Sequence, residues 1–348
     1  MQAQSRIAGR TPLPATGWDE TAMVRRALVL GGGGPVGIAW ESGLIAGLER
    51  GGVRLADADR IVGTSAGSVV GAQLALGASG ADLAATQRQQ FARDPKADVH
   101  RAASDDATKA RAPAPDLSAL MALFARRPAG TGATGPDGEA EAQQQRAWRQ
   151  EVGQFALAAR TIAPEDFIAS FGRIAGSAWP QRDYRCTAID ATTGAFRVWT
   201  AADAVPLGAA IASSCAVPGI YPCIPIAGAR WYDGGLRSAT NADVALGTGI
   251  GAGTGSGTGA PGDTHPDVVV VISVMPASAL APAGAANPLE AELATLRAAG
   301  AAVTLIVADA QSREAFGPNL MDARRRPGAL AAGEAQGEAL AAQLRASW

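Results

Sequence analysis

Histidine is scarce in this chain of 348 residues, which contains only His100 and His265. His100 lies in a polar stretch with little apolar content, and His265 follows a glycine-rich tract. A catalytic base must be held within about 2.6–3.2 Å of the proton that it removes, which requires a rigid mount. The sequence provides no such mount for either histidine, so a histidine-dependent active site is disfavoured.

Cysteine, net charge and long apolar runs are also limited. Cys186, Cys215 and Cys223 form neither a Cys-x-x-Cys motif nor a disulfide framework, so we expect reduced thiols and a cytoplasmic protein. A formal net charge of −2 gives no electrostatic basis for binding nucleic acid. No stretch approaches the ~20 apolar residues that span a bilayer, and residues 1–24 lack the apolar core of a signal peptide. Peripheral, transient contact with a membrane surface is left open.

The chain carries the alternation of strands and helices that is typical of an α/β fold. A βαβα order opens it, with strands at 27–30 and 60–63, and this order predicts a mainly parallel sheet. Later segments predict a hairpin at 184–200, strands at 267–274 and 304–307, and helices at 80–92, 146–160, 164–176, 204–212 and 329–346. We therefore predict one α/β domain over residues 25–348, after a flexible tail at 1–24.

Two stretches interrupt this alternation. Residues 93–145 are rich in Ala, Arg, Asp, Pro and Gly and predict a low-complexity insert, for which a neutral surface insertion is favoured over a lid. Residues 247–262 are a Gly/Thr/Ser tract and predict a flexible loop.

The second predicted strand leads into Gly63-Thr64-Ser65-Ala66-Gly67, which matches the Gly-x-Ser-x-Gly nucleophile elbow. In such an elbow both Gly63 and Gly67 lack a Cβ because the turn is tight. Ser65 would then lie at a helix N-terminus, where free N–H groups favour a developing negative charge. The alternative is an ordinary turn between a strand and a helix.

The first predicted strand ends in a run of four glycines followed by Pro35. The N–H groups of Gly32, Gly33 and Gly34 can point towards the serine with no side chain in the way, and Ala66 can add another donor. Pro35 has no N–H to contribute. These donors predict an oxyanion hole.

The same loop admits another interpretation. With Gly37 it matches the dinucleotide-binding pattern Gly-x-Gly-x-x-Gly, and Asp57 stands near the position of a ribose-binding acid. A nucleotide-binding fold would have no use for a serine elbow on its second strand. The two motifs together favour hydrolysis.

The candidate base is Asp233, which is followed by Gly234 and Gly235. The two glycines allow the carboxylate to approach another backbone closely, although a plain turn is the favoured interpretation of this motif taken alone. His265 follows Asp233, so the order Ser…Asp…His of α/β-hydrolases is present. His265 nevertheless precedes a late predicted strand, whereas those enzymes place the histidine after one.

The glycine loop at 31–37, the elbow at 63–67 and the turn at 233–235, in this order, resemble the patatin-like phospholipase family. The resemblance runs from about Arg25 to Asp243 and implies a three-layer α/β/α fold with a mainly parallel central sheet. It also implies a Ser65–Asp233 catalytic dyad, no histidine, and lipid acyl esters as substrates. One position departs from the family pattern, because Val36 stands where Arg or Lys is common.

The resulting hypothesis is a lipid acyl hydrolase of the phospholipase A, lysophospholipase or carboxylesterase type, working through an acyl-enzyme without a metal or an organic cofactor. The head group and chain length of the substrate are left open. Two alternatives stand beside it: a catalytically weak binding module that keeps the scaffold, and a Ser-His-Asp α/β-hydrolase that uses His265.

Overall fold

The computed structural model describes residues 24–93, 122–128, 136–247, 265–275 and 287–348. Nearly all of the predicted tail and of the glycine-rich tract, and most of the predicted insert with His100, lie outside these residues. The insert is predicted to extend to residue 145, which is too far towards the C-terminus. A helix begins at Pro136 rather than at about 146 and continues to Ala158.

The strands of the described residues form one eight-stranded sheet. They are β1 (Arg26–Leu30), β2 (Arg60–Gly63), β3 (Asp183–Asp190), β4 (Phe196–Trp199), β5 (Ile224–Ile226), β6 (Ala229–Asp233), β7 (Val268–Ser273) and β8 (Ala302–Val307). Their order is β5-β6-β3-β2-β1-β7-β8, and β4 pairs with β3 outside this path.

The centre of the sheet is parallel, as the sequence predicts. Strands β2 and β7 flank β1, and β3 and β8 continue the parallel arrangement on either side. Every residue of the Val-rich strand β7 is buried, as is typical of a parallel strand covered on both faces. The predicted β3–β4 hairpin is confirmed by its antiparallel pairing. The antiparallel pairs of β6 with β3 and with β5 are not predicted from the sequence.

Helices flank this sheet, which confirms the three-layer α/β/α class. They are α1 (Gly34–Arg50), α2 (Ala66–Ala75), α3 (Gly80–Arg93), α4 (Pro136–Ala158), α5 (Pro164–Ala169), α6 (Leu207–Ser214), α7 (Pro288–Ala298), α8 (Ala310–Phe316) and α9 (Arg326–Leu344). None of the helices in the described ranges has both the length and the hydropathy needed to cross a membrane.

The sheet brings the three predicted motifs to one edge. Leu30, the last residue of β1, is in register with Gly63, the last residue of β2, so the glycine loop and the elbow leave the sheet side by side. Strand β3 extends past Gly63, and its residue Ala188 pairs with Asp233 at the end of β6. The elbow, the glycine loop and Asp233 are therefore all at the carboxyl edge of the parallel strands.

Candidate active site

Ser65 occupies a strained turn between β2 and α2. Its backbone has φ 52° and ψ −117°, a conformation with positive φ that residues with a Cβ rarely adopt. A Cβ on Gly63 would lie 2.5 Å from Ser68 Cα, and a Cβ on Gly67 would lie 2.1 Å from the Leu30 carbonyl oxygen. Both glycines are therefore required by close backbone approach, and the turn has the form of a nucleophile elbow.

The end of α6 holds this strained turn in place. The Ser65 N–H donates to Ser214 Oγ at 3.0 Å. The Ser65 carbonyl accepts from Ser68 Oγ at 2.7 Å and from Cys215 Sγ at 3.2 Å. No role for Ser214 or Cys215 is predicted from the sequence. The only local signal was a short polar run between apolar residues and a proline-fixed loop.

Asp233 is buried beside Ser65, and the residue is 3% exposed. The Asp233 N–H donates to the Ala216 carbonyl at 3.1 Å, and Asp233 Oδ1 accepts from the Gly235 N–H at 2.7 Å. The Ser65 side chain is close enough to the carboxylate to lower its pKa. A Cβ on Gly234 would lie 2.3 Å from Thr187 Oγ1, so the turn after Asp233 admits only glycine there.

The environment of Asp233 changes its acidity. Burial raises the pKa of its carboxyl from an ordinary value of 3.8 to about 7, while hydrogen bonds from the Gly235 N–H and the Ser65 side chain act in the opposite direction. Desolvation disfavours the charged form of the carboxyl. A carboxyl group with a pKa near neutrality has the basicity of a general base that works at neutral pH.

The glycine loop offers fewer free donors than the sequence predicts. The Gly32 N–H donates to the Ala239 carbonyl at 2.7 Å, so the prediction of Gly32 as an oxyanion donor is corrected. Among the described residues, no hydrogen-bond acceptor engages the N–H groups of Gly33, Gly34 or Ala66. These three donors lie at or next to the N-termini of α1 and α2, where helical N–H groups have no intrahelical partner.

The glycines of this loop differ in what a Cβ atom added to each of them would contact. A Cβ on Gly33 would lie 2.6 Å from Val274 Cγ2, and a Cβ on Gly34 would lie 2.8 Å from Met321 Sδ. A Cβ atom on either of these two glycines would therefore point into packed side chains and away from Ser65. A Cβ on Gly32 would instead face Ser65, at 3.3 Å from its Cβ and 3.9 Å from its Oγ. The space beside the serine hydroxyl is kept open by Gly32 in particular.

The motif position Gly37 and the neighbouring Val36 serve packing. A Cβ on Gly37 would lie 3.1 Å from Val274 Cγ2, and the Gly37 N–H donates to the Gly33 carbonyl at 2.8 Å. Val36 is fully buried, and its N–H donates to the Leu320 carbonyl at 3.2 Å. The side chain of Val36 brings no charge to the glycine loop.

The other residues that the sequence raised lie away from the serine. His265 is exposed and precedes β7, at the sheet edge opposite to Ser65, which places it roughly 20 Å away along the strands. Asp57 is exposed in a short helical turn before β2, where it pairs with Arg54 at 3.4 Å. The ribose-binding acid of a nucleotide fold would have to stand near the glycine loop, so the dinucleotide interpretation is not supported.

A serine on a strand-to-helix elbow, at the carboxyl edge of a mainly parallel sheet and beside a buried carboxylate, is the arrangement of an α/β serine hydrolase. The particular family follows from a sequence comparison. The chain belongs to the patatin-like phospholipase family, whose model matches residues 28–246. Family membership supports lipid hydrolase activity in general.

Two solved structures are similar to this chain at low identity. VipD from Legionella pneumophila is 13% identical with a TM-score of 0.38, and the match covers 99% of this chain and 72% of VipD. The type III effector protein ExoU is 14% identical with a TM-score of 0.36, and the match covers 92% of this chain and 53% of ExoU, about half of that protein. A comparison with curated protein sequences gives no match.

Proposed function

We propose that this protein is a lipid acyl hydrolase in which Ser65 is the nucleophile and Asp233 is the general base. The observation that carries the proposal is the pairing of the strained Ser65 with a buried Asp233 whose pKa is raised to about 7. A serine is a weak nucleophile unless a base stands next to it. No other titratable side chain that the sequence raised as a base stands beside Ser65 in the described residues.

The reaction then proceeds in two balanced steps. Ser65 Oγ attacks the ester carbonyl carbon while its proton passes to the Asp233 carboxylate, and that proton then protonates the departing alcohol. The acyl group remains on Ser65. Water attacks the acyl-enzyme, loses a proton to Asp233 and releases the fatty acid, after which the proton returns to Ser65 Oγ.

The oxyanion donors of the proposal are the N–H groups of Gly33, Gly34 and Ala66. They lack acceptors among the described residues and belong to two helix N-termini that meet beside Ser65. Donors held in this way stabilise the charge that develops on the carbonyl oxygen in the transition state. Backbone donors alone carry this role, because Val36 supplies no cation.

A fluorophosphonate probe tests the proposal directly. The wild-type protein should be labelled covalently, and the Ser65→Ala variant should not, because the probe reacts with activated serines. Hydrolysis of p-nitrophenyl esters of graded chain length, beside a panel of phospholipids and lysophospholipids, then defines the substrate. Equal labelling of both proteins would contradict the assignment of Ser65.

The uncharged glycine loop supports a second candidate, a binding module with weak catalysis that retains the scaffold. Its distinguishing result is binding of lipid vesicles by a wild-type protein that neither reacts with the fluorophosphonate nor hydrolyses any ester of the panel. On the principal proposal, the lipid-bound protein is also the active one, and we infer a cytoplasmic enzyme that contacts membrane surfaces transiently.

Gly32→Ala is expected to lower kcat/KM by about 100-fold without unfolding the protein. The new methyl group would lie 3.9 Å from Ser65 Oγ, in the space that the substrate carbonyl needs, and misplacement by about 1 Å can cost this much. Gly176→Ala is the matched control, because a Cβ there has no neighbour within 4 Å. Activity of Gly32→Ala equal to that of Gly176→Ala would show that the carbonyl binds elsewhere.

The double variant His100→Ala/His265→Ala is expected to retain wild-type kcat/KM. His265 lies at the opposite edge of the sheet from Ser65, far beyond the reach of a general base. The measurement is ester hydrolysis by variants whose folding is checked by circular dichroism. Loss of turnover by orders of magnitude in a folded His265→Ala protein would establish a Ser-His-Asp mechanism instead.

A further inference from the structure

The side-chain amide of Asn241 connects the two halves of the candidate site. Asn241 is fully buried and has a left-handed backbone, with φ 47°. Its Nδ2 lies within hydrogen-bond distance of four acceptors, which share its two hydrogens: the Ser238 carbonyl at 2.8 Å, Thr64 Oγ1 at 3.1 Å, the Gly234 carbonyl at 3.2 Å and Thr187 Oγ1 at 3.4 Å. Thr64 precedes Ser65 in the chain, and Gly234 follows Asp233. One amide group therefore binds the neighbours of both proposed catalytic residues.

Arg237, whose side chain is 20% exposed, fixes the orientation of this amide. Asn241 Oδ1 accepts from Arg237 Nη1 at 2.8 Å, so Nδ2 must face the four acceptors. Arg237 is itself held by two parallel hydrogen bonds to Asp243, of 2.9 Å and 2.5 Å. A bidentate pair of this kind restricts the guanidinium to one geometry. The Asn241 amide thus has a single hydrogen-bonded orientation.

The sheet alone leaves the separation of Ser65 and Asp233 weakly fixed. The elbow follows β2 and Asp233 ends β6, and β3 lies between these two strands. Strands two positions apart are separated by about 9–10 Å, so no ladder hydrogen bond joins them directly. Ser65 lies two residues beyond Gly63, the last paired residue of β2, and Asp233 is itself the last residue of β6. Beyond the sheet, the segment 214–216 contacts both backbones through the Ser65 N–H and the Asp233 N–H, and the Asn241 amide is a second cross-link between the two turns.

We propose that Asn241 is a positioning residue that sets the separation of Ser65 and Asp233 by binding Thr64 and Gly234 together, an inference that rests on the proposed function. Asn241 does not touch the substrate. Loss of its amide lets the elbow and the aspartate turn move relative to each other, which slows proton transfer and leaves the substrate site itself intact. The effect therefore falls on kcat rather than on KM.

The test compares Asn241→Ala, Thr64→Val and the double variant in p-nitrophenyl ester hydrolysis, with active sites counted by complete fluorophosphonate labelling. Each single variant should lower kcat by about 10- to 100-fold with little change in KM. The side chains of Asn241 and Thr64 share one hydrogen bond. The kcat of the double variant should therefore be close to that of the less active single variant, rather than lowered by the product of the two separate losses. Thr64→Ser keeps the hydroxyl and should retain kcat.

A matched control separates positioning from general stability. Gln336→Ala removes another buried amide, which donates to the Val307 carbonyl at 2.7 Å and accepts from Ser312 Oγ at 2.9 Å, far from the elbow. It should lower the unfolding midpoint but leave kcat unchanged. A kcat of Asn241→Ala equal to that of wild type, or a kcat of the double variant lowered by the product of the two single losses, would overturn the positioning role of Asn241. Either result would leave the proposed function standing. A wild type that is inert to ester and probe would overturn the proposed function and this inference with it. If Asn241→Ala fails to fold, the contrast of Thr64→Val with Thr64→Ser decides.

Discussion

Ser65→Ala and Asp233→Asn are each expected to reduce kcat for ester hydrolysis on the order of 10⁴-fold or more, with the fold retained. Alanine at 65 removes the atom that forms the acyl-enzyme. Asparagine at 233 has the shape of aspartate but cannot accept the proton from Ser65, so the hydroxyl stays a poor nucleophile. The measurement is single-turnover and steady-state hydrolysis of a p-nitrophenyl ester.

The two residues should fail as a unit. The double variant is expected to be about as inactive as either single variant, because each loss already removes the whole nucleophilic step. Ser177→Ala and Asp166→Asn are matched controls on the surface and should leave kcat unchanged. Two partial losses that multiply in the double variant would contradict a shared catalytic step.

The features that the sequence predicts well are those with local causes. The elbow follows from two glycines within five residues between an apolar strand and a helix, and the structure gives the physical reason in the 2.1 Å contact that a Cβ on Gly67 would make. The parallel centre of the sheet follows from the alternation of strand and helix along the chain. The Val-rich run of β7 is buried on both faces, as its composition predicts.

The features that escape prediction depend on contacts between distant parts of the chain. Strand β5 has three residues with Pro225 at its centre, and it is too short for periodicity to reveal it. As an edge strand it tolerates proline, because one side needs no ladder hydrogen bond. The engagement of the Gly32 N–H by Ala239 has no local signal, since the acceptor comes from the loop after β6.

The hydrogen-bond network of Asn241 is missed for the same reason. Thr64 lies 177 residues before Asn241 in the chain, so no local pattern predicts that the Asn241 amide donates to the Thr64 hydroxyl. The sequence thus predicts which residues carry chemistry, whereas the distances between them are set by long-range polar contacts. The raised pKa of Asp233 belongs to this second group, because burial of the carboxyl arises only in the folded protein.

The raised pKa of Asp233 predicts a pair of opposite pH dependences. The value of kcat/KM should fall about tenfold per pH unit below pH 7, because only the carboxylate form of Asp233 accepts the proton. The stability should change in the other direction. A carboxyl whose pKa is about 7 when folded and near 3.8 when unfolded favours folding below pH 4 and loses this contribution as the pH rises through 7.

Asp233→Asn isolates this contribution, because asparagine has no charge to bury. Its free energy of unfolding relative to wild type should increase from pH 4 to pH 7 and then level off, by at most about 4 kcal/mol. Urea unfolding across this range measures the difference, and groups common to both proteins cancel. Ser65→Ala is the matched variant: it removes a side-chain interaction that lowers the pKa of Asp233, so the upper end of the pH range over which this stability contribution is lost should move to higher pH. The contrary result has two parts: a free energy of unfolding that changes with pH in the same way in wild type and in Asp233→Asn, and a kcat/KM whose midpoint lies near pH 4. Asp233 would then be an ordinary solvated carboxylate and could not serve as the base at neutral pH.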